Sequence, residues 1–333
     1  MDLKLICNTW DIGRIIEIRE INQGFMNKTY SIITEDNSYI LRIYESESDI
    51  TKVRREYLIL EYLSNCQLSF EVPTFIMNHT GDYLYQSSEN GTISILMPLL
   101  KGINPDLSDA KQAYEAGKAL GELNKALSRL SEDVYKDLGR NPAYDQFRQF
   151  HPLIKGIDKI VDHLPTSIAK KHELHKIFQQ LDKEIDNSYY HLLGKQYIHG
   201  DYTSGNILSI KGKITGIIDF EFCCYDVRPM DLAIALGGGP TALWEMDQSL
   251  TNIGMLTKGY VSVTPLTENE LLYIPFLIRL RRAAMFVYFT ARYVKGLDSE
   301  NWIIGIIDWI LASEAWLIDN KDRLIDKIIQ QSR

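Results

Sequence analysis

His199-Gly200-Asp201 opens a stretch whose residue types and spacing can do chemistry. Asp201 stands five residues before Asn206, and Asp219 follows Asn206 by thirteen, at the end of the apolar run through Ile217 and Ile218. A carboxylate, a carboxamide and a second carboxylate in this order suit ATP-dependent phosphoryl transfer. That reaction needs little covalent help from a protein. It needs an acceptor hydroxyl held in line with a phosphate, and cations to neutralise the phosphate oxygens. Asp201 would accept or orient the acceptor proton. Asn206 and Asp219 would hold Mg²⁺, a hard ion that prefers oxygen ligands and keeps several waters and substrate oxygens. Each piece alone is ordinary, because Asp and Asn beside Gly are common turn formers; the order and spacing together carry the reading.

The elements that must position these residues are legible nearby. Ile207 to Ile210, Lys211 to Lys213 and Ile214 to Ile218 read as strand, turn and strand. Such a hairpin returns the chain beside its start, so Asn206 and Asp219 are expected at its open end, close enough to share an ion. Upstream, residues 15 to 45 read as strands with turns, and the turn carrying Gly24 and Asn27 is able to lie over phosphates and donate N–H groups. Asp49 to Leu63 reads as a helix with an apolar stripe, and two further strands are expected at 83–86 and 92–97. From Ser108 onward the pattern is helical. Gly117 and Gly121 lie four apart on one helix, which marks a face for close packing.

With these residues in place, the chain resembles the aminoglycoside phosphotransferase and choline kinase-like superfamily. The resemblance rests on His199-Gly-Asp-x-x-x-x-Asn206 followed by Ile218-Asp219-Phe220-Glu221. It implies an α+β, two-lobed protein-kinase-like fold: a small antiparallel sheet lobe with one helix, then a larger, mainly helical lobe. It also implies ATP and Mg²⁺ as cofactors. Eukaryotic protein kinases match less well, since Gly200 replaces the arginine of His-Arg-Asp and Glu221 the glycine of Asp-Phe-Gly.

By the same resemblance, Gly24, Asn27 and Tyr30 match a phosphate loop of the form Gly-x-x-Asn-x-x-Tyr. Arg42 stands where such kinases usually carry a lysine on the α/β-phosphates, with Glu56 as its helical partner. Arginine is bulkier, planar and permanently charged, and it binds phosphates bidentately. Met97 to Gly102 resembles the hinge, with the Pro98 carbonyl and the Leu100 N–H expected at the adenine edge. Asp231 is expected to brace the catalytic-loop backbone. The boundaries implied are residues 1–98 for the ATP-binding lobe, 99–102 for the hinge and 103–333 for the helical lobe.

Composition narrows the partners. The 333 residues carry a net charge of −8, which argues against nucleic acid as the main partner and is compatible with a cationic substrate. Cys7, Cys66, Cys223 and Cys224 show no metal-ligand spacing, and reduced cytoplasmic thiols are expected. The most apolar late segment, Leu271 to Tyr288, carries Arg279, Arg281 and Arg282, so no membrane span is expected. Those arginines read as a solvated helix face rather than a clamp on a substrate carboxylate. Trp302, Trp309 and Trp316 recur every seven residues and read as a core seam.

The sequence thus predicts an ATP- and Mg²⁺-dependent kinase acting on a small-molecule alcohol. Tyr225-Asp-x-Arg-x-x-Asp231-Leu-Ala resembles the type II homoserine-kinase-like branch, which favours homoserine or a related amino alcohol. An aminoglycoside antibiotic kinase is the alternative. A catalytically weak binding or spore-coat protein of the same fold is the alternative of another class. A homodimer is kept as an option.

Overall fold

The computed structural model describes residues 2–21, 27–44, 50–88, 91–131, 141–149, 156–187, 189–237 and 249–332. The chain divides into two compact units. The first comprises Met1–Ile103 with Leu208–Glu221; the second takes the described residues from Asn104 to Ile207 and from Phe222 onward. The division follows contacts rather than chain order, so the hairpin expected after Asn206 counts with the N-terminal unit.

The first unit is built on a five-stranded antiparallel sheet in the order β1-β2-β3-β5-β4. Its strands are β1 (Ile15–Glu20), β2 (Lys28–Thr34), β3 (Ser38–Tyr44), β4 (Tyr85–Gln86) and β5 (Ile93–Pro98). Alternation fixes the faces: Tyr30, Ile32, Leu41, Ile43 and Leu96 pack with Ile6, Cys7 and Trp10 of the N-terminal segment. The helix α1 (Leu3–Cys7) precedes the sheet. After β3 comes α2 (Ile50–Ser64), which buries Val53, Glu56, Ile59, Leu60 and Leu63. Burying a glutamate among those apolar residues costs free energy unless a partner meets it.

The expected hairpin forms as β7 (Ile207–Ile210) and β8 (Lys213–Ile217). Its two turn residues, Lys211 and Gly212, have φ of 53° and 77°. Positive φ at both centres matches the twist of the flanking strands, and glycine takes it without strain. Bridges from Glu71 to Gly216 and from Ile103 to Ser209 tie the hairpin into the first unit.

The second unit is mainly helical. The helix α3 (Ala110–Leu127) starts at an Asp109 cap that accepts from the Gln112 N–H at 2.9 Å. It packs against α7 (Ser249–Val261) at glycine contacts: a Cβ on Gly117 would sit 1.9 Å from the Leu256 carbonyl oxygen. Two strands, β6 (Lys195–Ile198) and β9 (Cys224–Val227), pair antiparallel, and β6 leads directly into the His199-Gly200-Asp201 loop. The remaining helices are α4 (Ile157–Val161), α5 (Ile168–Asn187), α6 (Met230–Gly237), α8 (Glu268–Leu272), α9 (Ile274–Val294) and α10 (Glu300–Ser332).

Two expectations are corrected here. Arg281 and Arg282 are 4% and 3% exposed, so they do not solvate a helix face. Trp302, Trp309 and Trp316 are only half-buried. The buried stripe of α10 is Ile303, Ile306, Ile307, Ile310, Ser313, Leu317, Leu324 and Ile328. That helix, rather than Leu271 to Tyr288, is the one among the described residues long and apolar enough to cross a membrane. Two of its acids are tied to other helices: Glu314 pairs with Arg279, and Asp308 with Lys170.

Candidate active site

In the second unit, β6 ends at Ile198 and delivers the loop His199-Gly200-Asp201. Gly200 has φ +80°, and a Cβ there would sit 2.3 Å from the Phe222 carbonyl oxygen. Both facts require glycine, which accounts for the missing arginine of the protein-kinase motif. Asp231, at the start of α6, accepts from the His199 N–H at 2.8 Å and the Gly200 N–H at 2.9 Å. This is the brace expected from the sequence. Burial pushes the Asp231 carboxyl up to about 7, although those two N–H bonds and Arg281 pull the other way and Asp226 adds to the rise.

Asp201 is held on both carboxylate oxygens. The Asn206 amide donates to Oδ2 at 2.9 Å and to the Asp201 carbonyl at 2.9 Å. Arg281 of α9 donates through Nη2 to Oδ1. With its amide nitrogen turned to Asp201, Asn206 has its amide oxygen directed elsewhere, and an amide oxygen is a donor type that hard divalent ions accept. The loop after Asp201 is fixed by Asn104, whose amide donates to the Gly205 and Ile207 carbonyls at 3.0 and 2.9 Å.

The first unit gathers a second group. Arg42 on β3 donates from Nη1 to Glu56 Oε1 at 3.1 Å and Oε2 at 3.4 Å, and from Nη2 to Asp219 Oδ1 at 3.2 Å. The Tyr44 hydroxyl donates to Glu56 Oε2 at 3.2 Å. Burial pushes the Glu56 carboxyl up, against the pull of Arg42. Burial pulls the Arg42 guanidinium down, yet Glu56, Tyr44, Asp219 and Glu221 together hold it well above its ordinary value. Arg42 therefore stays charged. Asp219 has φ +70°, an uncommon region that Asp tolerates better than most residues. Only one of its oxygens faces Arg42, so the other suits a metal ion.

Asn27 donates to Glu221 Oε2 at 3.1 Å. Gly24 lies outside the described residues. Pro98 closes β5 opposite Tyr39, and the next residue, Leu99, donates its N–H to the Ser38 carbonyl at 2.9 Å. The Leu100 side chain lies beside Gly216 of the hairpin. Thus the structure brings Asp201 together with Asn206 in one unit, and Arg42 with Glu56 and Asp219 in the other. Among the described residues, no group of three or more His, Cys, Asp or Glu side chains forms a metal-ligand set.

Sequence reasoning missed Arg281 and Tyr144 beside Asp201. The signal for Arg281 was available. A charged side chain inside an otherwise apolar helix is costly unless it is paired, so a run of arginines there points inward as readily as outward. Nothing local marks Tyr144, which reaches the loop from a short turn of helix at Tyr144–Gln149.

Comparison with known proteins gives the setting. The model of the phosphotransferase enzyme family matches residues 17–266. A homoserine kinase of Beijerinckia indica subsp. indica is 27% identical over 327 residues, covering 97% of this chain and 90% of that protein. A homoserine kinase of Zymomonas mobilis subsp. mobilis is 27% identical over 284 residues, covering 83% of this chain and 80% of that one. Among solved structures, an amicoumacin kinase in complex with AMP-PNP, Ca²⁺ and Ami has a TM-score of 0.67 at 16% identity, covering 93% of each chain. A microcompartment-associated aminopropanol kinase has a TM-score of 0.62 at 16% identity, covering 97% of this chain and 98% of that one. At these identities the solved structures speak to the fold, which is kinase-like.

Proposed function

The chain belongs to the phosphotransferase enzyme family, and from that premise we propose that it transfers the γ-phosphoryl group of ATP to the hydroxyl of a small amino alcohol, homoserine being favoured. The observation that carries this reading is the Asp201 carboxylate. It is held by Asn206 and Arg281, yet its side chain remains 18% exposed, so a hydroxyl can reach it. Homoserine is favoured because relatives that match nearly the whole chain are homoserine kinases.

The roles follow from the chemistry of the groups. Asp201 receives the acceptor's O–H hydrogen bond and takes its proton as the acceptor oxygen bonds to phosphorus and the bond to the ADP oxygen breaks. Arg42 balances phosphate charge while Glu56 holds it. Asn206 and Asp219 are each proposed as Mg²⁺ ligands, and Mg²⁺ when bound neutralises phosphate oxygens. Asn27 and Gly24 are proposed near the phosphates, and Pro98 and Leu100 at the adenine edge. We place the protein in the cytoplasm, in keeping with its cysteine thiols.

The test is coupled ADP release with Mg²⁺ against homoserine, choline, methylthioribose, fructosamines and aminoglycosides. Turnover with homoserine well above the other acceptors is the expected result. Preference for an aminoglycoside would move the chain to the antibiotic-kinase reading. Absence of turnover on all of them, together with no thermal stabilisation by a non-hydrolysable ATP analogue, would reject the enzyme reading. A nucleotide at a hundredfold excess over its Kd should contribute about 2.7 kcal/mol.

A further inference from the structure

Arg281 sits in α9 with its side chain 5% exposed, and its Nη2 donates to Asp201 Oδ1. Its Nη1 donates to the Tyr144 hydroxyl at 3.1 Å, and its guanidinium carbon lies 5.6 Å from the centre of the Tyr144 ring. Tyr144 is itself pinned twice. Its hydroxyl donates to the Gly200 carbonyl, and its N–H donates to Asp226 Oδ2 at 2.7 Å. Asp226 in turn accepts from the Tyr190 hydroxyl and the Val227 N–H. A chain of buried hydrogen bonds therefore runs from Asp226 through Tyr144 and Arg281 to Asp201.

Burying a guanidinium costs several kcal/mol unless its geometry and pairing compensate. An ion pair that only fastened α9 to the loop would not need its acid to face solvent. Here the arginine approaches from the interior and the carboxylate keeps an exposed side, at 5% against 18%. Asn206 holds the other oxygen at 2.9 Å. Two donors on opposite oxygens fix the plane of the carboxylate, which a single contact cannot do.

We propose that Arg281 is a positioning residue for phosphoryl transfer, fixing the Asp201 carboxylate through a fork shared with Tyr144 so that its exposed side meets the acceptor hydroxyl. This rests on the reading of Asp201 as the residue that serves the acceptor. Arg281 does not touch the acceptor in this arrangement; it acts through Asp201. Its fork makes two bonds in different directions, which a lysine ammonium on a flexible stem does not reproduce.

The experiment compares full-length wild type with Arg281→Gln, Arg281→Lys, Tyr144→Phe and Asp201→Asn. It measures kcat and KM for homoserine, or for whichever acceptor the panel turns over. AMP-PNP affinity and urea unfolding are followed in parallel. In Arg281→Gln, kcat should fall about a hundredfold, the cost of misplacing a reacting group by about 1 Å. AMP-PNP affinity and acceptor KM should stay close to wild type. Arg281→Lys should recover part of the loss, and Tyr144→Phe should lose less than either arginine variant. Should Arg281→Gln fail to fold, Arg281→Lys and Tyr144→Phe decide the matter: wild-type kcat in both overturns the proposal. A loss confined to the urea midpoint, with kcat of the folded protein unchanged, also overturns it. An active Asp201→Asn would instead remove the reading of Asp201. An inert Asp201→Asn beside unaffected Arg281 variants would leave that reading standing and reject only the role of Arg281.

Discussion

Arg42 is held by carboxylates from two directions, Glu56 on α2 and Asp219 beyond the hairpin, with its side chain 13% exposed and that of Glu56 only 3%. Truncating one member of such a pair leaves the other charged and without its partner, so the cost exceeds the worth of the contact. Arg42→Ala is expected to lower unfolding stability by about 3–5 kcal/mol, measured by urea unfolding. The double variant Arg42→Ala with Glu56→Ala should lose less than the sum of the two single losses, because neither Arg42 nor Glu56 is then left buried without the other. Simple addition of the two would show that the pair is not coupled. Asp201 is a different case, since its value lies in a proton rather than in packing. Asp201→Asn should abolish turnover while leaving AMP-PNP affinity close to wild type, and undiminished turnover would remove its assigned role. The Arg42–Glu56 pair was expected from the resemblance to kinases that set a strand cation beside a helical glutamate. Asp219's hold on Arg42 was not, because it spans 177 positions and nothing local encodes it.

Helix packing in the second unit turns on missing side chains. Gly117 on α3 meets the Leu256 carbonyl, and Gly259 on α7 would place a Cβ 2.0 Å from the Tyr114 carbonyl oxygen. An alanine at Gly117 gains about 1 kcal/mol of helix propensity. Against that, backbone cannot move aside as a side chain does, and overpacking costs about 1–3 kcal/mol, occasionally more. At 1.9 Å the clash is severe, so Gly117→Ala should be net destabilising in urea unfolding. A stabilised variant would mean that the two helices can re-space freely. The glycine pair four apart was readable in the sequence as a close-packing face. Its partner was not, because α7 begins more than 120 residues later and no local signal names it. The tryptophan row of α10 shows the opposite failure. A seven-residue repeat drew attention to bulk, yet isoleucine and leucine at helical spacing fill the seam. The three tryptophans are half-buried beside that seam instead.

At the scale of the whole chain, the order of elements was readable and the grouping of contacts was not. Strands early and helices late follow from period-2 and period-3.6 patterns, whereas the hairpin Leu208–Glu221 joins the first unit through bridges to Glu71 and Ile103. Stability of the chain against pH follows from two fully buried acids, Asp226 and Asp231, whose burial nothing in the local sequence marks. Burial pushes Asp226 up to about 6 and Asp231 up to about 7, from an ordinary value of 3.8. Burial is the larger cause in both, outweighing the N–H and hydroxyl donors that favour the anions. Folded protein therefore binds more protons than unfolded protein between about pH 4 and pH 7. Their contribution to stability is fully present below the unfolded value and is lost as pH rises through about 6 for Asp226 and about 7 for Asp231. Asp226→Asn cannot titrate, so its urea midpoint lacks that share of the slope. It also mismatches the Tyr144 N–H and the Tyr190 hydroxyl, so it starts lower. The gap between wild type and Asp226→Asn should be widest near pH 4 and should narrow as pH rises through about 6, with little further change above about 7. Asp226 adds to the rise of Asp231, so Asp226→Asn should also lower the pH at which the remaining slope, that of Asp231, falls. A gap that stays constant across this range would mean that Asp226 is already ionised in the folded chain, held by its donors against the cost of burial.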